Sequence, residues 1–174
     1  AVTEVLERDG RPALEGLGAE VREVEPDFEG AEPAFRTLRA WGMAQQYGQL
    51  YREHRDEISD NLRTNIEWGL DLTAADIYEA YTARTRLYTR MVGLFEEIDV
   101  LAAPTVEVVP FPVAGLPAIS VPCWFTDDGL PVGLQLVGKP LGEVELLRIA
   151  MAFEAANPVW RRRPPLDEPV QVST

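Results

Sequence analysis

The sequence predicts an α/β fold, with helices packed on a mixed, largely parallel sheet. Three observations carry that expectation. Residues 73–98 hold an amphipathic helical period. Short apolar runs at 100–103, 118–121 and 132–137 read as strands buried on both faces. A third apolar stretch, 143–156, has helical length and little polar face. With 174 residues and 46% hydrophobic content, the chain can close one core without metal or disulfide. A single domain is expected, mainly helical over 1–98 and strand-rich over 99–165.

Residues 1–18 read as a helix along Val2, Val5, Leu6, Leu14 and Leu17, interrupted by Gly10 and Pro12 and closed by Gly18. Residues 19–24 alternate apolar and charged, which predicts a half-buried strand. From 34 to 69 the period is helical. Phe35, Leu38, Trp41, Tyr47, Leu50 and Tyr51 form one stripe, and Ile58, Leu62 and Ile66 a second. Thr73 is placed to cap the next helix with Asp76 three residues on. Ile77, Tyr81, Arg84, Tyr88, Met91, Phe95 and Ile98 then recur on one face, which predicts core packing broken only by Arg84. Asp127, Asp128 and Gly129 signal a turn before the third strand.

Composition excludes several function classes. Sixteen basic against 29 acidic residues leave a net charge of −13, which repels phosphate backbones and argues against a nucleic-acid partner. The basic run Arg161, Arg162 and Arg163 precedes Pro164 and reads as a solvated helix exit. No apolar stretch reaches the roughly 20 residues a bilayer needs, so no membrane partner is expected. Neither is a signal peptide seen, and a start without Met reads as a chain that begins inside a longer gene product. A lone Cys123 fits a reducing, cytoplasmic setting, and with His54 as the single histidine no metal site and no cofactor are expected.

Nucleophilic catalysis needs a Ser, Cys or Lys beside a base and near oxyanion donors. Ser59, Ser120 and Ser173 are the serines and Lys139 the one lysine. A Ser120–Lys139 dyad is disfavoured, because Ser120 lies between Ile119 and Val121 without a glycine-rich turn to expose its hydroxyl. Cys123 reads as buried and inert. The residues alone therefore give a fold class and no mechanism.

The run DVLAAPT at 99–105, GLPAISVPC at 115–123 and DGLPVGLQ at 128–135 resemble consecutive segments of the amidase-signature family. So does LVG at 136–138 with Glu143, the apolar helix to Glu154, and Trp160, Arg161 and Pro164 after it. Leu17 to Val21, Trp68 and Gly69 fit more loosely. In physical terms Pro104 and Pro122 cannot donate to a ladder, so both are expected to end strands and turn the chain toward the cleft.

The resemblance implies hydrolysis of a carboxamide through a Ser–Ser–Lys triad, by an enzyme of which this chain is the C-terminal half. The glycine- and serine-rich run that carries the triad is not in this sequence, so no position here inherits a catalytic role. Thr105, Pro110 and Phe111 are the candidates for lining the substrate cleft. The family separates its P-T run from its G-x-P strand by a further stretch. Here the segment around Pro112 and Val113 joins them almost directly, and a break in the chain is expected there. Partners implied are a small amide substrate and the N-terminal half of the same protein, with a homodimer left open. Two other readings stand beside this one: the glutamine-hydrolysing component of a tRNA-dependent amidotransferase, and a non-catalytic remnant acting as a binding module.

Overall fold

The computed structural model describes residues 2–105 and 113–163. They fall into two compact units, one built from residues 2–25, 95–105 and 116–163, the other from 26–94 and 113–115.

The first unit opens with α1 (Val2–Val5), a π-helical turn (Leu6–Gly10) and α2 (Arg11–Gly16). The π turn has a local cause. Pro12 has no N–H to continue the ladder, and the amide of Arg11 reaches back five residues to the carbonyl of Leu6. Gly10 and Pro12 thus widen the helix instead of ending it. Gly18, at φ 89°, ends it: its N–H donates to Glu15 and that of Ala19 to Leu14, at 2.9 and 3.2 Å. Residues 19–24 then form no strand, contrary to their alternation. No ladder partner lies beside them among the described residues. Arg11 donates to the Val21 carbonyl at 3.2 Å, and Arg22 to Glu97, so arginines pin the segment where a sheet would have done.

Three strands follow: β1 (Val100–Pro104), β2 (Ala118–Phe125) and β3 (Pro131–Gly138), in the order β1-β3-β2. Each expected run is a strand. Both pairings are antiparallel, however, where the sequence predicts a largely parallel sheet. The connection explains the β2–β3 pair. A tight turn joins β2 to β3, with Gly129 at φ 86° and Thr126 N–H to Leu130 at 2.8 Å, and so short a link can only reverse direction. Pro104 ends β1 as expected, whereas Pro122 lies within β2 opposite Gly133. It is tolerated because β2 is an edge of the three strands and the register shifts between Pro122 and Trp124. Asn157 donates to the Cys123 carbonyl beside this bulge at 2.8 Å.

α6 (Glu143–Ala156) has the expected bounds. Its Leu146, Ala150 and Phe153 join Val5, Leu6, Leu14, Val121, Cys123, Val132, Leu134 and Leu136 in one core. Helices therefore cover one face of the sheet. Although so small a polar face predicts a well-buried helix, Val144, Leu147 and Met151 are exposed, because α6 meets the core along a single i, i+4, i+7 stripe.

The second unit packs α3 (Ala31–Glu53) against α4 (Asp60–Asp71) and α5 (Ala74–Leu94). The buried face of α3 is Ala31, Ala34, Ala40, Ala44 and Gly48, while the expected stripe from Phe35 to Tyr51 is half-buried and Leu50 exposed. Small residues win because the helices cross closely. A Cβ at Gly69 would stand 2.0 Å from the Ala40 carbonyl oxygen and 2.8 Å from the Ala44 Cβ.

Thr73 and Asp76 form the expected reciprocal cap. The Asp76 carboxylate accepts from the Thr73 N–H at 2.8 Å, and its own N–H donates to the Thr73 hydroxyl at 3.2 Å. The α5 stripe is displaced from its expected phase. Met91 is buried, yet Tyr81 and Tyr88 are 39% and 40% exposed, and Ala80 and Leu87 take the buried positions. Ala80, Arg84, Leu87 and Met91 share a face one step round from the aromatic one.

Candidate functional site

β1 delivers the chain to Thr105, the first of the three cleft candidates. Its N–H donates to the Gly133 carbonyl at 3.0 Å, so the backbone stays pinned to β3 for one residue beyond the strand. Its side-chain hydroxyl lies 2.7 Å from that of Ser120 on the far edge strand. The two hydroxyls meet across the central strand because Gly133 stands between them. A Cβ there would come within 2.8 Å of both oxygens. Thr105 and Ser120 are exposed, so this hydroxyl pair and Gly133 give a small polar patch on the sheet. Pro110 and Phe111, the other two candidates, and Pro112 at the expected break lie outside the described residues.

The second unit holds the other end of that segment by itself. Arg84 Nε donates to the Val113 carbonyl at 2.8 Å, and its guanidinium sits 6.0 Å from the Tyr81 ring centre. Tyr81 in turn meets Trp41 edge-to-face at 6.1 Å. The polar exception in the helical stripe is thus a tether for the residues that follow 106–112. The helical period flagged Arg84, but nothing in the sequence pointed to its partner.

No nucleophile is assembled among the described residues. Ser120 pairs with Gln135 across the ladder, and Lys139 lies four residues further along β3's direction. At ~3.4 Å per residue the two backbones stand about 14 Å apart along the strand, and no hydrogen bond joins Lys139 to Ser120 among the described residues. The Ser120 hydroxyl has Thr105 as its partner, not a base. Cys123 is fully buried, and burial, with a smaller push from the Asp9 charge, raises its thiol pKa to about 11. A thiol so held is neutral and unreactive near neutral pH. No group of three or more His, Cys, Asp or Glu among the described residues could hold a metal ion. No described helix is long and apolar enough to cross a membrane.

The basic run Arg161–Arg163 is exposed, as expected, yet two of its arginines lie over aromatic rings, the first being Arg161 at 5.1 Å from the Trp160 ring centre. Arg162 lies over the rings of Phe125 and Trp124, at 4.8 and 5.9 Å from their centres. The run Arg161–Arg163 offered a charge reading alone, and the aromatic partners of Arg162 are far away in sequence, so periodicity could not reveal the pairing.

Known proteins share this architecture. The family model for amidases matches residues 105–147, the span that contains Thr105, the hairpin and the start of α6. A crystal structure of an amidase superposes with a TM-score of 0.79 at 25% identity, covering 88% of this chain and 41% of its own. A bacterial aryl acylamidase of the amidase-signature enzymes superposes equally well, at 0.79 and 22% identity, over 92% of this chain and 41% of that one. Among curated relatives, a glutamyl-tRNA(Gln) amidotransferase subunit from Synechococcus sp. (strain JA-2-3B'a(2-13)) is 31% identical over 79% of this chain and 30% of its own length. Its counterpart from Symbiobacterium thermophilum is 30% identical over 81% of this chain and 34% of its own. The chain therefore spans about a third of the length of these relatives. The alignment to the counterpart from another Synechococcus (strain JA-3-3Ab) runs over 201 positions, more than the 174 residues here, so that relative carries stretches this chain lacks within the matched region. The family model, the amidase superposition and the four ordered sequence runs agree: the chain belongs to the amidase-signature family.

Proposed function

We propose that the protein containing this chain hydrolyses a carboxamide C–N bond, using a Ser–Ser–Lys triad carried by a segment N-terminal to these residues. The observation that carries this reading is the superposition on an amidase at TM-score 0.79 over 88% of the chain. The chain geometry fits such a division of labour. It places its hydroxyls in a structural pair, Thr105 with Ser120, and keeps its lysine away from them.

In the proposed reaction the triad serine adds to the amide carbonyl and the lysine end of the triad takes its proton. The tetrahedral oxyanion is held by backbone donors, the amine leaves with that proton, and water then releases the carboxylate. This chain contributes shape: Thr105, whose N–H is bonded to the Gly133 carbonyl just beyond β1, borders the cleft. The test is ammonia release from acetamide and benzamide by the protein with its upstream segment present. Turnover that disappears when the upstream lysine is replaced supports the reading. Turnover insensitive to that lysine rejects it.

A second reading is favoured by the curated relatives, which are named as components of glutamyl-tRNA(Gln) amidotransferase. Glutamine as ammonia donor replaces the simple amide in that case. Comparing ammonia release from glutamine with that from benzamide separates the two: strong preference for glutamine selects the amidotransferase reading.

A further inference from the structure

We propose that a groove at the β2–β3 end of the sheet is a binding site for a small aromatic carboxylate, with Arg162 as its anion contact. The groove has a volume of about 330 Å³ and is lined by Ser120, Trp124, Phe125, Gly133, Trp160 and Arg162 among others. Small-molecule sites span about 300–1,000 Å³, so this one suits a single ring with one substituent. Its walls are mostly apolar and aromatic, with charge at one place.

That charge is prepared for an anion. The Arg162 guanidinium lies 4.8 Å from the Phe125 ring centre and 5.9 Å from that of Trp124. Contacts with ring faces hold the guanidinium plane while leaving its N–H edge free, and that edge is the side that meets a carboxylate with two parallel hydrogen bonds. No carboxylate pairs with Arg162 among the described residues, although the chain has 29 acidic residues against 16 basic ones. Ser120 supplies a hydroxyl to the same groove and, with Thr105 as one partner, keeps capacity for another hydrogen bond. The space over Gly133 is filled by that hydroxyl pair, which forms the polar floor of the groove. The indoles of Trp124 and Trp160 line the groove, each with an arginine over its ring, Arg162 at 5.9 Å and Arg161 at 5.1 Å from the ring centres, so the aromatic wall is cationic as well as apolar. A ligand that is both flat and anionic satisfies all of these groups, whereas a neutral or aliphatic one leaves part of them unused. The site does not depend on whether the protein hydrolyses amides.

Benzoate is the probe, followed in the protein by its tryptophan indole N–H and arginine Nε–H NMR signals. Saturable shifts at Trp124, Trp160 and Arg162 are expected with benzoate and not with benzyl alcohol, a neutral counterpart that amide hydrolysis does not consume. Arg162→Gln should weaken benzoate by about tenfold or more, as expected for loss of a charge-assisted bidentate contact. Arg162→Lys should fall between the two, keeping charge but losing the planar fork. Trp160→Leu, at a ring already 57% exposed, tests the wall without disturbing the fold. Absence of saturation, equal binding of benzyl alcohol, or benzoate affinity unchanged in Arg162→Gln and Trp160→Leu would each overturn the site.

Discussion

Thr105 and Ser120, on opposite edges of the sheet, share a 2.7 Å hydrogen bond directly over Gly133 of the strand between them. The pair exists because the central residue has no side chain. Gly133→Ala should therefore force the two hydroxyls apart, destabilising the protein by about 1–3 kcal/mol, as overpacking does. Ser120→Ala removes only an exposed hydrogen bond and should cost about 1 kcal/mol or less. Urea denaturation of both variants checks the order. A neutral Gly133→Ala would mean that the strands have room to spare there.

The α3–α4 crossing makes a second expectation. With a Cβ at Gly69 placed 2.0 Å from the Ala40 carbonyl oxygen, no rotamer can relieve the clash, and the helices themselves must separate. Gly69→Ala normally gains helix propensity, about 1 kcal/mol in an exposed helix. Here the steric term should win, lowering the thermal midpoint. A raised midpoint would show that the helices do not approach so closely.

Acid should loosen the start of α5. Hydrogen bonds from the Thr73 hydroxyl and N–H hold the Asp76 carboxyl below its ordinary value of 3.8. A carboxyl with a depressed folded-state pKa binds fewer protons when folded. Its contribution is thus complete above the unfolded pKa and disappears as pH falls through the folded one. Asp76→Asn should be less stable than the parent at pH 7, with the difference shrinking below about pH 4. Equal stability at pH 7 would remove the charge from the cap.

Much of this fold was legible, for reasons that particular residues show. The three strands, α6 and the cap at Thr73 came from local chemistry: apolar runs ended by turn signals, and a side chain within three residues of the N–H it satisfies. What failed was non-local. Alternation at 19–24 is only permission to be a strand, and the Val21 carbonyl meets an arginine donor in place of a neighbouring ladder. The burial of Ala80 and Leu87 over Tyr81 and Tyr88 depends on which face α5 turns to its neighbours, a long-range choice that the large aromatic side chains concealed in the sequence. Strand direction depended on the length of the β2–β3 link, which the turn at Gly129 already announced. At the candidate site, Thr105 was identified through the family resemblance. Its partner Ser120 and the Arg162 groove depend on register and on long-range packing that no motif records.

The most direct measurement is ammonia release from benzamide and glutamine by these 174 residues alone, beside Ser120→Ala and Lys139→Ala. Uncatalysed amides persist because water attacks weakly and the tetrahedral oxyanion is costly. A single preorganised oxyanion donor is worth roughly 10²–10³ in rate, and an activated nucleophile more. Ser120 is bonded to Thr105, Lys139 stands away from it, and Cys123 is a buried neutral thiol. The account predicts no release above background by the chain or either variant. Release by the parent chain that either substitution abolishes would contradict it and place the nucleophile within these residues.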